Sequence, residues 1–237
     1  KELLMEAHLK DAQLKYLQAQ INPHFLFNTL NAGAQLAMME GADRTYEYVQ
    51  NVAEFFRYNV KKSNDIVTVR EELELVDHYI YILNVRFSGD IHYGKEIEED
   101  LLDSCMPSMI LQPIVENSIY HGIERKIGKG HLVIRISASE ERLYIRISDD
   151  GRGMTDEKLK ELNEKLRRLG DETDDPEKDG EKKQTRGGIA VVNVNRRIKL
   201  LFGEEYGIHV YSKEEVGTDV VVELPLVREE NRQGGWR

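Results

Sequence analysis

Residues 111–122 read Leu111-Gln-Pro-Ile-Val-Glu-Asn-Ser-Ile-Tyr-His-Gly122. The apolar run from Met109 to Tyr120 predicts a buried helix, and Glu116-Asn117 interrupts it. A polar pair on such a helix costs free energy unless it meets a ligand or a partner. The side-chain oxygens of Asn117 and Glu116 suit a hard cation such as Mg²⁺, which takes oxygen ligands. His121, near the helix end, reads either as a cap or as a contact to phosphate.

Downstream the period changes from helical to two. Leu132–Ala138 and Leu143–Ser148 alternate as half-buried strands do. The second runs into Asp149-Asp-Gly-Arg-Gly-Met154, a turn whose Gly151 and Gly153 let the backbone bend and lie close to a ligand. A helix is expected over Asp156–Leu169. Residues 170–184 are rich in Asp, Glu and Lys and predict a mobile loop. Thr185-Arg-Gly-Gly-Ile-Ala-Val-Val-Asn193 then opens a helix ending near Phe202. Gly187 and Gly188 at such an N-terminus present bare N–H groups, and the helix dipole favours anions there. Ile208–Ser212 and Thr218–Leu224 read as strands, the latter entered through Gly217-Thr-Asp-Val220, which a plain hairpin turn also explains. Arg228–Arg237 reads as a tail.

Upstream the chain is all helix until Ser88-Gly89-Asp90, after which Ile91–Glu98 predicts a strand. Helices are expected over Val69–Phe87 and Asp43–Lys62, the latter with Val49, Val52, Ala53, Phe56 and Val60 on one face. Before Gly41 lies Gln18-Ala-Gln-Ile-Asn-Pro-His-Phe-Leu-Phe-Asn-Thr-Leu-Asn31. His24, Asn28, Asn31 and Gln35 fall at i, i+4, i+7 and i+11, one polar stripe on a helix. An exposed imidazole among neutral amides is a usable nucleophile. Pro23 predicts a kink or a restart. Leu3, Ala7, Lys10, Leu14, Leu17 and Ile21 follow heptad spacing, read either as one amphipathic helix or as a dimer seam.

Composition narrows the classes. A net charge of -10 over 237 residues argues against nucleic acid as a general partner. The single Cys105 excludes an internal disulfide, and no Cys/His set has zinc spacing. No apolar run reaches the ~18 residues of a membrane span. The first residue falls inside an apparent helix, so the chain reads as a piece of something longer.

These strings, in this order, resemble the LytS/YesM-type sensor histidine kinases over roughly residues 15–225. The segment around His24 is similar to N-P-H-F-L-F-N-x-L-N. Leu111–Gly122 is similar to L-Q-P-x-V-E-N-x-x-x-H-G, Asp149–Gly153 to D-x-G-x-G, and Gly217–Val220 to G-T-x-V. The resemblance implies an α plus α/β architecture. A helical dimerisation segment (residues 1–88, a four-helix bundle in a homodimer) precedes an α/β-sandwich ATP-binding domain of the GHKL, or Bergerat, type (89–228) and a tail (229–237). It implies that His24 takes the γ-phosphoryl group of ATP, that Asn117 ligates Mg²⁺, and that Asp149 accepts from the adenine amino group. Residues 170–184 would be the ATP lid. Asn28 would orient a water for dephosphorylation. Phe25 stands where most histidine kinases carry an acid, so the proton acceptor for His24 is open, with Glu116 a candidate. Ala190 departs from the usual glycine, strained if φ is positive there and stabilising if helical. Arg197 matches a family arginine or is a surface charge. The implied partners are a response-regulator receiver domain and, through upstream segments, a membrane. The alternative is a nucleotide-binding scaffold or another GHKL ATPase.

Overall fold

The computed structural model describes residues 23–61, 66–123, 129–167 and 186–228. The heptad seam, the charged stretch 170–184 and the tail 229–237 lie outside the described residues. So do residues 18–22, on which a kink at Pro23 would turn. Two compact units divide between Ser63 and Asn64.

The first unit packs α1 (Pro23–Met39) against α2 (Asp43–Lys61). Gly41 ends α1 as expected: with φ 68 it is the left-handed residue of a Schellman turn. Its N–H donates to the Met38 carbonyl, and the Ala42 N–H to that of Ala37. Buried Ala34, Ala37 and Ala53 let the two helices approach closely. A two-helix hairpin cannot cover a full apolar stripe, and Phe25, Leu36, Met38 and Met39 are all exposed.

The second unit contains β1 (Ile66–Thr68), α3 (Val69–Arg86), β2 (Ile91–Ile97), a 3₁₀ turn (Glu99–Leu101), β3 (Ser104–Pro107) and α4 (Leu111–Asn117). There follow β4 (Gly130–Ser139), β5 (Arg142–Asp149), α5 (Asp156–Arg167), α6 (Arg186–Phe202), β6 (Gly207–Lys213), β7 (Gly217–Pro225) and β8 (Val227–Arg228). The main sheet has the order β2-β4-β5-β7-β6, with β2 parallel to β4 and the other neighbours antiparallel. Its inward positions alternate as the sequence expects. Leu132, Ile134 and Ile136 on β4, Leu143, Ile145 and Ile147 on β5, and Val220, Val222 and Leu224 on β7 are buried. Each such side chain contributes about 1.5–3 kcal/mol. Helices α5 and α6 pack on this sheet, and α4 packs on α6, giving an α/β sandwich.

Two features differ from the sequence reading. A small second sheet, β1-β3-β8, is formed from three strands of two to four residues. It draws Val227 and Arg228 into pairing with Cys105 and Ser104, so Arg228 belongs to a strand and not to the tail. The boundary also falls at residues 63/64, not near 89, because α3 buries Leu73, Val76, Ile80 and Leu83 within the second unit, packing on α4, β2 and β3. Helical periodicity identified that apolar stripe, but not the body it faces.

Thr68 starts α3 with a capping box. Its hydroxyl accepts from the Glu71 N–H at 3.2 Å, and the Glu71 carboxylate accepts from the Thr68 N–H at 2.9 Å. Thr68→Ala is expected to lower unfolding stability by about 1 kcal/mol, read from the urea midpoint.

Candidate functional site

The site grows out of the period of β5. Leu143, Ile145 and Ile147 face inward, and the next inward position is Asp149, 8 % exposed. Two-residue alternation thus drives a carboxylate into an apolar face. Burial, the largest cause, pushes its pKa up to about 6, against the pull of the Gly151 N–H that Oδ1 accepts at 3.0 Å. Asp150 points elsewhere. Its carboxylate accepts from the His131 N–H at 2.7 Å and meets His131 Nδ1 at 2.8 Å, tying the end of β5 to β4. Adjacent carboxylates therefore have separate roles: one buried, one holding an exposed sheet end.

Asp149 is enclosed by glycines. A Cβ on Gly122 would sit 2.7 Å from Asp149 Oδ1, and one on Gly151 would come under 3.0 Å from the Gly122 backbone. Gly153 has φ +62, and a Cβ there would collide with the Lys213 carbonyl. Gly217, next to the Asp149 strand partner Thr218, leaves no room for a Cβ beside the Asp149 carbonyl. For both Gly151 and Gly153 the neighbour that leaves no room for a Cβ is this chain's own backbone. Gly188 is different, with open space where a Cβ would go, as at a helix start that faces outward.

Helix α4 ends at Asn117 and widens into a π turn over Ser118–Ile123. Such turns change which way neighbouring side chains point. Asn117 is half-buried there. Glu116 is exposed overall, yet the surrounding polypeptide desolvates its carboxyl enough to raise its pKa. A carboxylate with a raised pKa is the better proton acceptor. The side chain of His121 and the surroundings of Gly187 lie outside what the structure describes. Ala190 lies within α6 and not at a positive φ, the case in which alanine favours the helix. Arg197 donates to the Ser108 carbonyl at 2.6 Å, so the contact described for it is to the polypeptide.

In the first unit His24, Asn28, Asn31 and Gln35 are all exposed, as the stripe predicts. The Asn28 amide meets His24 Nδ1 at 3.1 Å. Sequence reasoning missed Glu72, wholly buried, whose carboxylate accepts three backbone N–H groups at the start of α4. The signal was an acid three residues after Val69 and four before Val76, on the apolar stripe of α3.

No three His, Cys, Asp or Glu side chains among the described residues gather to hold a metal. Among the described residues no helix is long and apolar enough to cross a membrane.

A mixed sheet with helices on it, a buried aspartate at a strand end and a glycine-rich surround define an ATPase domain of the GHKL class. This chain belongs to the histidine kinase-, DNA gyrase B- and HSP90-like ATPase family, whose model matches residues 106–228. Residues 12–91 match the histidine kinase model. The chain is 30% identical to the sensor histidine kinase YesM of Bacillus subtilis, over 93% of this chain and 34% of that protein. It is 34% identical to the sensor protein LytS of Oceanobacillus iheyensis, over 93% of this chain and 36% of that one. It thus spans about a third of the length of the curated relatives it matches. A solved histidine kinase domain from Erythrobacter litoralis aligns with a TM-score of 0.45 at 16% identity, covering 86% of this chain and 96% of that one.

Proposed function

We propose that this chain is the catalytic portion of a sensor histidine kinase, transferring the γ-phosphoryl group of ATP to His24 and from there to an aspartate of a response-regulator receiver domain. The observation that carries the proposal is one chain holding both an exposed histidine in a segment matched by the histidine kinase model and the Asp149 glycine surround in an ATPase domain.

The residues divide the work. Asp149 accepts from the adenine amino group, with Thr218, its partner across the strands, at the same sheet end. Gly187 and Gly188 offer backbone N–H groups to the phosphates. Asn117 would hold Mg²⁺, which when bound neutralises phosphate charge and orients the transferred group. Asn28 holds the His24 ring through Nδ1. The Asn28 NH₂ donates to Nδ1 at 3.1 Å, which fixes the orientation of the ring. Glu116 is the candidate acceptor of the proton released on attack. The exposed Phe25, Leu36, Met38 and Met39 support a homodimer in which two hairpins complete a four-helix bundle. A membrane enters only through segments upstream of this chain, as in sensor kinases generally. Phosphate transfer from γ-labelled ATP·Mg²⁺ to the chain tests the reading; nucleotide binding without any transfer favours the scaffold alternative.

Asp149 gives the binding step a pH signature. The carboxylate, not the neutral acid, is the stronger acceptor, and with a pKa of about 6 it is mostly protonated at pH 5. Nucleotide affinity is therefore expected to fall about tenfold between pH 7 and pH 5, measured by calorimetry. Stability of the ligand-free chain runs the opposite way. The unfolded chain releases this proton first, so the Asp149 contribution is lost as pH rises from the ordinary Asp range through about 6. Asp149→Asn removes both dependences.

A further inference from the structure

The start of α4 is held by side chains from two other helices. Oε1 of Glu72, on α3, accepts from the Met109 N–H at 2.7 Å, and Oε2 accepts from Ile110 and Leu111, each at 3.0 Å. Glu72 and Ser108 are both wholly buried. Met109 sits at φ 59, a left-handed conformation that a non-glycine residue adopts only where surroundings impose it. Arg197, on α6, donates to the Ser108 carbonyl at 2.6 Å, and its charge interacts with that of Glu72. An acid at a helix N-terminus is favoured by unpaired N–H groups and the dipole. Such caps come from the residue just before the helix; this one comes from 37–39 residues earlier. A remote cap determines where the helix begins, and hence where its far end lies.

We infer that Glu72 is a positioning residue of the nucleotide site, fixing through the start of α4 the placement of Glu116 and Asn117 two turns along, with Arg197 bracing the same loop from α6. The inference rests on the reading of Asn117 given above. The helix that presents the phosphate-facing glycines and the helix that presents the metal ligand thereby share one buried polar junction. Gln at position 72 preserves the shape but replaces one acceptor oxygen with an NH₂ facing N–H donors. It leaves at least one backbone donor unmatched and tilts or frays the first turn of α4.

The experiment compares the 237-residue chain with Glu72→Gln by calorimetric titration of AMP-PNP with Mg²⁺ and of ADP in EDTA. Glu72→Gln is expected to weaken Mg²⁺-dependent binding by roughly ten- to hundredfold, as removal of a supporting partner does, while metal-free ADP binding changes little. Equal Mg²⁺ dependence in both folded proteins overturns the inference alone. Absence of nucleotide binding by the unsubstituted chain overturns the reading of the site, and this inference with it. A second measurement needs no variant. Adding Mg²⁺ to the nucleotide-saturated chain is expected to move the amide NMR signals of Met109, Ile110 and Leu111, which touch no ligand in this reading. Should Glu72→Gln fail to fold, those signals decide: movement supports the inference and silence overturns it.

Discussion

His24→Ala is expected to reduce phosphate incorporation from γ-labelled ATP·Mg²⁺ to background while leaving nucleotide affinity unchanged. The stripe it belongs to holds only amides besides the imidazole, and Asn28, Asn31 and Gln35 are poor nucleophiles. Removing the ring therefore removes the acceptor and leaves no substitute on that face. The ATP-binding residues proposed above all lie in the second unit, which accounts for the unchanged affinity. The label on the unsubstituted chain is expected to be acid-labile and alkali-stable, as a phosphoramidate is. Label that persists in the variant would assign the acceptor to another residue. Because in-line transfer needs a positioned nucleophile and no other stands on that face, the loss should be complete and not graded.

The second large effect is structural in origin. Gly151→Ala is expected to cost roughly 3 kcal/mol of stability, measured by urea unfolding, and to abolish nucleotide binding. The new methyl group would lie under 3.0 Å from the Gly122 backbone and 2.8 Å from Asp149 Oδ1. Backbone cannot rotate away as a flexible side-chain tip can, so the π turn that follows α4 and the turn that follows β5 must separate. The Arg152 N–H donates to the Gly122 carbonyl at 3.3 Å across the same junction, and that bond would open with it. Asp149 loses its enclosure, and the pH signature of binding disappears together with the affinity. Wild-type stability and binding in Gly151→Ala would mean that the two backbones can part without consequence to the site.

Much of this was legible in the sequence, and for identifiable reasons. The strands of the main sheet and the helices before and after them rest on local periodicity, which β4, β5, β6, β7, α2 and α3 all display. The inward alternation along β5 by itself places Asp149 on the buried face, and the spacing of His24, Asn28, Asn31 and Gln35 by itself places them on one exposed stripe. Gly41 as a helix stop needs no more than its φ freedom. The ordered strings from His24 to Val220 carried the family, which the matches to residues 12–91 and 106–228 bear out.

What only the tertiary structure decided are the relations between residues far apart in the chain. The strands Ile66–Thr68, Ser104–Pro107 and Val227–Arg228 are too short for a periodic signal and exist because they pair with one another. The assignment of α3 to the second unit depends on which surface meets its apolar stripe, and any amphipathic helix carries such a stripe. The reason for Gly151 is the approach of Gly122, 29 positions earlier, which no local rule contains. Glu72 is the extreme case: in sequence it shows only as an acid on the apolar stripe of α3, and only folding brings it to the three N–H groups that give it a role. Periodicity is a property of neighbours along the chain, whereas a cap, a close backbone approach or a buried charge is satisfied by whatever the fold brings to it.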